Sequence, residues 1–100
     1  MEQGKLYLVC YDFPSSKAGD RRRVKVVKIL EGYGNRVQKS VFELRIHKKE
    51  ELDKLLKKFK RWFIEAEDSL RIYPLNAIAE SEIQIHGEGD IYKVEDAYFF

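Results

Sequence analysis

One carboxylate and a knot of arginines are the residues whose types and spacing could do chemistry. Asp12 closes the apolar and aromatic run Leu6-Tyr7-Leu8-Val9-Cys10-Tyr11. A carboxylate at the end of a strand is well placed to bind Mg²⁺, a hard cation that takes oxygen ligands and keeps several waters. The same side chain could instead bond to its own backbone, because Asp12-Phe13-Pro14 reads as a turn. Arg21-Arg22-Arg23 follows, extended by Lys17, Lys25 and Lys28. Arginine suits phosphate because its planar fork can bond two oxygens. Near a helix start, free backbone amides would add to that affinity, while the basic charge opposes the helix dipole. A local conflict of this kind points to function. The opposing reading is a solvated face, which is what most charge runs are.

The remaining reactive types are sparse. Cys10 is the one cysteine, which excludes an intrachain disulfide and a thiolate zinc site. It reads as a small buried hydrophobe. His47 and His86 form no ligand pair, and neither has the placement a general base needs. No glycine-rich phosphate loop marks a metabolite-binding domain. Nothing demands an oxidising compartment, so a cytoplasmic location is expected. No apolar run approaches the roughly 20 residues of a membrane helix, and residues 1–5 lack the order of a signal peptide.

The elements that must position these groups fit one domain of 100 residues. A hydrophobic fraction of 44% supports a small core, and the net charge of +2 is too low to announce a nucleic-acid binder by itself. Residues 6–11 are almost continuously apolar, as in a central strand covered on both faces. Asp20 is read as the N-cap of a helix over 21–31, with Val24, Val27 and Leu30 as its buried stripe. Gly32-Tyr33-Gly34 stops that helix. Phe42, Leu44 and Ile46 share one parity, and Glu43 and Arg45 the other. Residues 36–46 are therefore one strand by periodicity, or two if the chain bends near residue 44. A second helix carries Leu52, Leu55, Leu56, Phe59, Trp62, Phe63 and Ala66 on one face, with lysines off that stripe. A strand at 69–75, a connection at 76–81, a short strand at 82–86 and a strand-like tail at 91–100 complete the chain. The tail ends in Tyr98-Phe99-Phe100, three aromatics whose burial implies docking on the partner subunit, on another protein or on the chain's own sheet. Periodicity alone leaves both β-α-β-α-β-β and β-α-β-β-α-β open.

Tyr7-Leu8-Val9-Cys10-Tyr11-Asp12, the arginine-rich Asp20-Arg21-Arg22-Arg23 and the segment Leu30-Glu31-Gly32-Tyr33-Gly34-Asn35-Arg36-Val37-Gln38-Lys39-Ser40-Val41-Phe42-Glu43 together resemble the CRISPR-associated protein 2 family. The resemblance spans essentially the whole chain. It implies an α+β fold, a ferredoxin-like βαββαβ sandwich with an extra C-terminal strand, forming a homodimer whose sheets face each other. Residues 1–86 would be the ferredoxin-like domain, and 87–100 a tail docking on the partner subunit. The implied function is spacer acquisition with the CRISPR integrase of the CRISPR-associated protein 1 family. The implied activity is metal-dependent endonucleolytic cleavage of RNA or double-stranded DNA with Mg²⁺ or Mn²⁺. On the family's motifs Asp12 is the catalytic, metal-binding residue. Two copies across a two-fold axis could hold one metal and activate water. Arg21, Arg22, Arg23 and Arg36 would bind nucleic acid, and Tyr11, Ser40 and Phe42 would line the site, although the parity of Phe42 also fits the core. The competing expectation is a non-catalytic dimeric adaptor that binds duplex DNA and bridges integrase subunits.

Overall fold

The apolar run near the start of the chain forms β1 (Lys5–Asp12), the strand around which the sheet is built. A computed structural model describes residues 4–87. After β1 come α1 (Lys17–Glu31), β2 (Gly34–Gln38), β3 (Val41–Ile46), α2 (Lys49–Lys60), β4 (Ser69–Leu75) and the short α3 (Ala77–Ser81). The sheet order is β2-β3-β1-β4, and every neighbouring pair is antiparallel. This is the ferredoxin-like βαββαβ arrangement.

The single strand expected over 36–46 is replaced by a hairpin that turns at Lys39-Ser40. The turn is tied to β1 twice: the Tyr11 amide donates to the Ser40 carbonyl at 3.1 Å, and the Tyr11 hydroxyl donates to the Lys39 carbonyl at 3.0 Å. A register shift between Arg36 and Gln38 accompanies the turn, so one parity does not run through the whole segment. The bend near residue 44 is likewise absent, because β3 continues straight through Leu44.

α1 starts earlier than Asp20 suggests. Ser16 is the N-cap, its Oγ accepting from the Gly19 amide at 3.0 Å, and Asp20 sits in the first turn, where its charge suits the dipole. The buried stripe shifts accordingly: Val26 and Leu30 are fully buried at i, i+4, whereas Val24 is 51% exposed. α2 buries Leu55 and Phe59. Its expected face runs to Ala66, but the helix closes at Arg61, and Trp62 packs on the core from the following turn. Glu51 caps the start of α2, its Oε1 accepting from the amides of His47 at 2.7 Å and Lys48 at 3.0 Å.

Both long helices cover one face of the sheet. There Val9, Tyr11, Phe42, Leu44 and Ile46 meet Val26, Leu30, Leu55 and Phe59 in one core. The other face carries Leu8, Cys10, Val41 and Tyr73, which are half-buried or exposed. The continuous apolarity of β1 predicts cover on both faces; on the second face Leu6 is buried, and α3 is anchored there. Arg45 of β3 donates to both oxygens of Glu80 at 2.8 and 2.6 Å and holds α3 there.

Residues 82–86 form no strand. Their alternating pattern is real, but a strand needs a ladder partner, and among the described residues nothing pairs with them. The tail at 91–100 and most of the proposed 87–100 segment lie outside the described residues. No described helix is long and apolar enough to cross a membrane.

Candidate functional site

Asp12 is the last residue of β1, directly opposite Ser69 at the start of β4. By strand parity it shares the open face with Cys10 and Leu8, and it is exposed. The adjoining turn is closed by the Ser16 amide donating to the Pro14 carbonyl at 2.9 Å. The Asp12 carboxylate makes no hydrogen bond or ion pair among the described residues, so it is not consumed by the turn. That leaves its oxygens available to a cation, which is the fit test a Mg²⁺ or Mn²⁺ ligand must pass.

Tyr11 points the opposite way. It is 5% exposed and sits in the core, its ring 5.9 Å from Phe13 and 6.2 Å from Phe42. Arg36 stands opposite Phe42 in the β2–β3 ladder and therefore lies on the helix side. Its guanidinium carbon is 5.6 Å from the Phe42 ring centroid, and its Nη2 donates to the Tyr11 hydroxyl at 3.5 Å. Arg36 Nε is buried without a hydrogen-bond partner among the described residues. Tyr11, Arg36 and Phe42, which the resemblance places beside Asp12 as ligand-binding and site-lining groups, thus form a brace behind it, on the other face of the sheet. Ser40 contributes its backbone carbonyl to that brace and is itself exposed.

The arginine knot also divides. Consecutive helical residues point about 100° apart, so three in a row cannot share one face. Arg21 and Arg23 are exposed, and among the described residues Arg23 makes only a surface pair with Asp20 at 3.5 Å, an interaction of little energetic consequence. Arg22 turns inward. Its Nε and Nη2 donate to the two oxygens of Asp68, each at 2.8 Å, and Nη2 also reaches Glu67 at 3.1 Å. Asp68 additionally accepts the Ile64 amide at 2.9 Å. The Arg22 hydrogen bonds hold the Asp68 carboxyl below its ordinary range, against burial that pushes it up. The guanidinium of Arg22 is thereby committed inside the fold, and Lys25 is laid over the Trp62 ring at 5.2 Å.

A cation that the residue pattern does not single out stands on the open face. Arg71 of β4 pairs with Cys10, one parity step from Ser69, and is exposed. Its Nη1 donates to the Tyr73 hydroxyl at 3.1 Å. Alternation through Ser69, Arg71 and Tyr73 puts it beside Asp12 only once the pairing of β1 with β4 is known. Asp68, immediately before a strand, carries no sequence signal for its buried role. Among the described residues no group of three or more histidines, cysteines or carboxylates could hold a metal, so Asp12 stands there without a ready-made ligand cluster around it.

Residues 5–83 match the family model for CRISPR associated protein Cas2. The chain is 42% identical over 88 residues to CRISPR-associated endoribonuclease Cas2 3 of Synechocystis sp., a match covering 88% of this chain and 90% of that protein. Among solved structures, Streptococcus pyogenes Cas2 matches with a TM-score of 0.71 and 32% identity, over 82% of this chain and 99% of that one. A chain of a partial Cas6-RT-Cas1–Cas2 complex matches with a TM-score of 0.68 and 31% identity, over 81% of this chain and 89% of that one.

Proposed function

The chain belongs to the Cas2 family of CRISPR-associated proteins, and from that premise we propose that Asp12 is the metal-binding carboxylate of a phosphodiesterase completed by a second copy of the chain. It is an endonuclease of CRISPR adaptation. The observation that supports the site is the exposed, uncommitted carboxylate of Asp12 at the end of β1.

One carboxylate is too few for a tight Mg²⁺ or Mn²⁺ site, and among the described residues no cluster of three or more ligands supplements Asp12. Two copies related by a two-fold axis, with their open faces together, supply two carboxylates from one surface patch. Leu8, Cys10, Val41 and Tyr73 give that face the apolar area a homodimer would cover. A bound divalent cation supplies charge for a phosphoryl oxygen and a more acidic water. The chain's own groups hold the cation at Asp12, fix the end of β1 through Tyr11 and Arg36, and offset phosphate charge with Arg71, Arg21 and Arg23. The substrate is RNA, as for the endoribonuclease relatives, or duplex DNA, whose backbone presents the same phosphodiester. The integrase partner is Cas1, with which a structural neighbour is assembled, and the work is cytoplasmic.

The solitary carboxylate also favours a second reading, in which the dimer presents duplex DNA to the integrase without cutting it. Cleavage of an RNA and duplex-DNA panel by wild type and Asp12→Asn, with Mg²⁺, Mn²⁺ or EDTA, separates the two. Metal-dependent cutting lost in Asp12→Asn is expected. Retained nucleic-acid binding with no cutting by the wild type would move the weight to the platform reading.

A further inference from the structure

We infer that a cationic cleft at the end of the sheet remote from Asp12 is a second nucleic-acid site, one that seats a single unpaired nucleotide. The cleft has a volume of about 300 Å³ and lies between the start of β1, the end of β3 and the first turn of α2. Tyr7, Ile46 and Leu52 form its apolar floor. Lys5, Lys48, Lys49 and His47 form its rim. Lys5 pairs with Ile46 in the β1–β3 ladder. It stands at the opposite end of the eight-residue β1 from Asp12, which at 3.3 Å per residue is about 23 Å away. The cleft is therefore separate from the proposed metal site.

The rim cations come from two separate pieces of chain, Lys5 of β1 and the run at residues 47–49, so their convergence is a product of the fold. None of the three ammonium groups is in salt-bridge contact with a carboxylate among the described residues. Glu51 is the nearby counter-charge, and its Oε1 is occupied by the amides of His47 and Lys48. Those hydrogen bonds lower its carboxyl below the ordinary range. Gly4 closes the cleft with φ 72°. A Cβ there would stand 2.7 Å from the Ile46 carbonyl oxygen and 2.9 Å from His47 Nδ1. Only glycine lets the backbone pass this close and in this conformation, and that approach seats the imidazole at the rim.

An ammonium rim above an aromatic and aliphatic floor suits a nucleotide: phosphate oxygens on the lysines, base against Tyr7 and Leu52. Unpaired bases use aromatic and cationic surfaces in this way. The volume is at the small end of ligand cavities, enough for one nucleotide and too small for a base pair. A single-stranded end or an extruded nucleotide is the ligand this shape selects. The inference rests on the nucleic-acid reading only for the class of ligand.

The test uses full-length Asp12→Asn protein in EDTA, so that cleavage contributes nothing. Adenosine monophosphate, inorganic phosphate and a ten-nucleotide single strand of RNA or DNA are titrated while the backbone and side-chain NMR signals of His47, Lys48 and Leu52 are followed. Expected are saturable shifts with the mononucleotide and the single strand, and weaker ones with phosphate alone. The double variant Lys48→Gln/Lys49→Gln should weaken single-strand binding by about tenfold and flatten its log–log salt dependence by roughly 1.4, which is about 0.7 for each of two phosphates. Lys48→Arg/Lys49→Arg should retain both, which separates the effect of charge from that of folding. Shifts no larger than those from sodium chloride at equal ionic strength, or phosphate binding as tightly as the mononucleotide, would overturn the inference. Cleft binding beside a wild type that cuts nothing would retire the metal site and leave this one standing.

Discussion

Arg22 and Asp68 meet as a fork on a carboxylate: Nε on one oxygen and Nη2 on the other, both at 2.8 Å. The pair joins the middle of α1 to the residue immediately before β4. The first residue of β4, Ser69, stands opposite Asp12. An arginine from the basic knot therefore fixes the strand end that faces the candidate catalytic carboxylate. The Asp68 side chain has no exposed surface, and its geometry is what a buried charge requires: bidentate pairing plus a third donor from the Ile64 amide.

Asp68→Ala should lose about 3 kcal/mol of stability in urea unfolding at pH 7, the usual result of leaving one member of a buried pair alone. The same pair sets an acid dependence. Arg22 holds the Asp68 carboxyl below its ordinary value. A depressed carboxyl stabilises the fold fully above the unfolded value, near pH 4, and the contribution is lost as pH falls through the folded value. Glu80 beside Arg45 acts with the same sign. The gap between wild type and Asp68→Ala should therefore narrow as pH is lowered from about 4. A gap of constant size down to acid unfolding would rule out the pairing as its source.

Much of this architecture is legible in residue patterns, and the failures have identifiable physics. The bounds of β4 follow from its sequence, and the core parity of Phe42, Leu44 and Ile46 is as read. The β2–β3 hairpin is hidden because Lys39-Ser40 lacks a glycine or proline signal, and the turn is fixed instead by Tyr11 from another strand. Ser16 and Asp20 are both good caps, and only the structure shows which one the amides use. Asp12 stands before a turn that its side chain could have closed, and the sequence is silent on whether it does; the Pro14 carbonyl takes that role. Which guanidinium of the arginine knot points inward depends on how α1 docks, which no local pattern encodes.

Glu43 should be a position where removing charge stabilises. It is half-buried on the open face, and burial and the neighbouring Glu80 push its carboxyl up, with Arg45 pulling the other way. The folded state then holds the proton more tightly than the unfolded one. Charging Glu43 opposes folding above its raised value, and the penalty fades as pH falls below the ordinary glutamate range. Glu43→Gln should raise the melting temperature at pH 7 and leave it unchanged near pH 3. Equal melting curves at both pH values would show that Arg45 compensates fully.

Gly34 opens β2 opposite Leu44. A Cβ there would collide with the Glu43 carbonyl oxygen and stand 2.8 Å from the Leu44 Cα. Backbone atoms inside a ladder cannot give way as a side chain can, so Gly34→Ala must part β2 from β3. A loss of about 2 kcal/mol is expected from overpacking of this kind. Hydrogen exchange localises it: β2 amides should lose protection while amides of the β1–β4 pair keep theirs. Uniform loss across the sheet would contradict a local separation.

The division of the arginine knot gives the sharpest test of the nucleic-acid surface. Arg21 and Arg23 are exposed, and among the described residues only the weak Asp20 pair competes for Arg23. Arg21→Ala/Arg23→Ala should therefore leave the melting temperature nearly unchanged. It should weaken binding to RNA or duplex DNA and reduce the log–log salt slope by roughly 0.7 to 0.9 for each phosphate the protein no longer neutralises. Arg22→Ala should do the reverse: a lower melting temperature, with the salt slope intact at temperatures where the variant is folded. Arg22→Lys should restore little, because a point charge cannot reproduce two parallel hydrogen bonds to one carboxylate. Matched salt titrations of the three variants decide the matter. If Arg22→Ala flattens the slope while the double variant does not, phosphate reaches the protein through the inward arginine, and the Asp68 pair must open on binding.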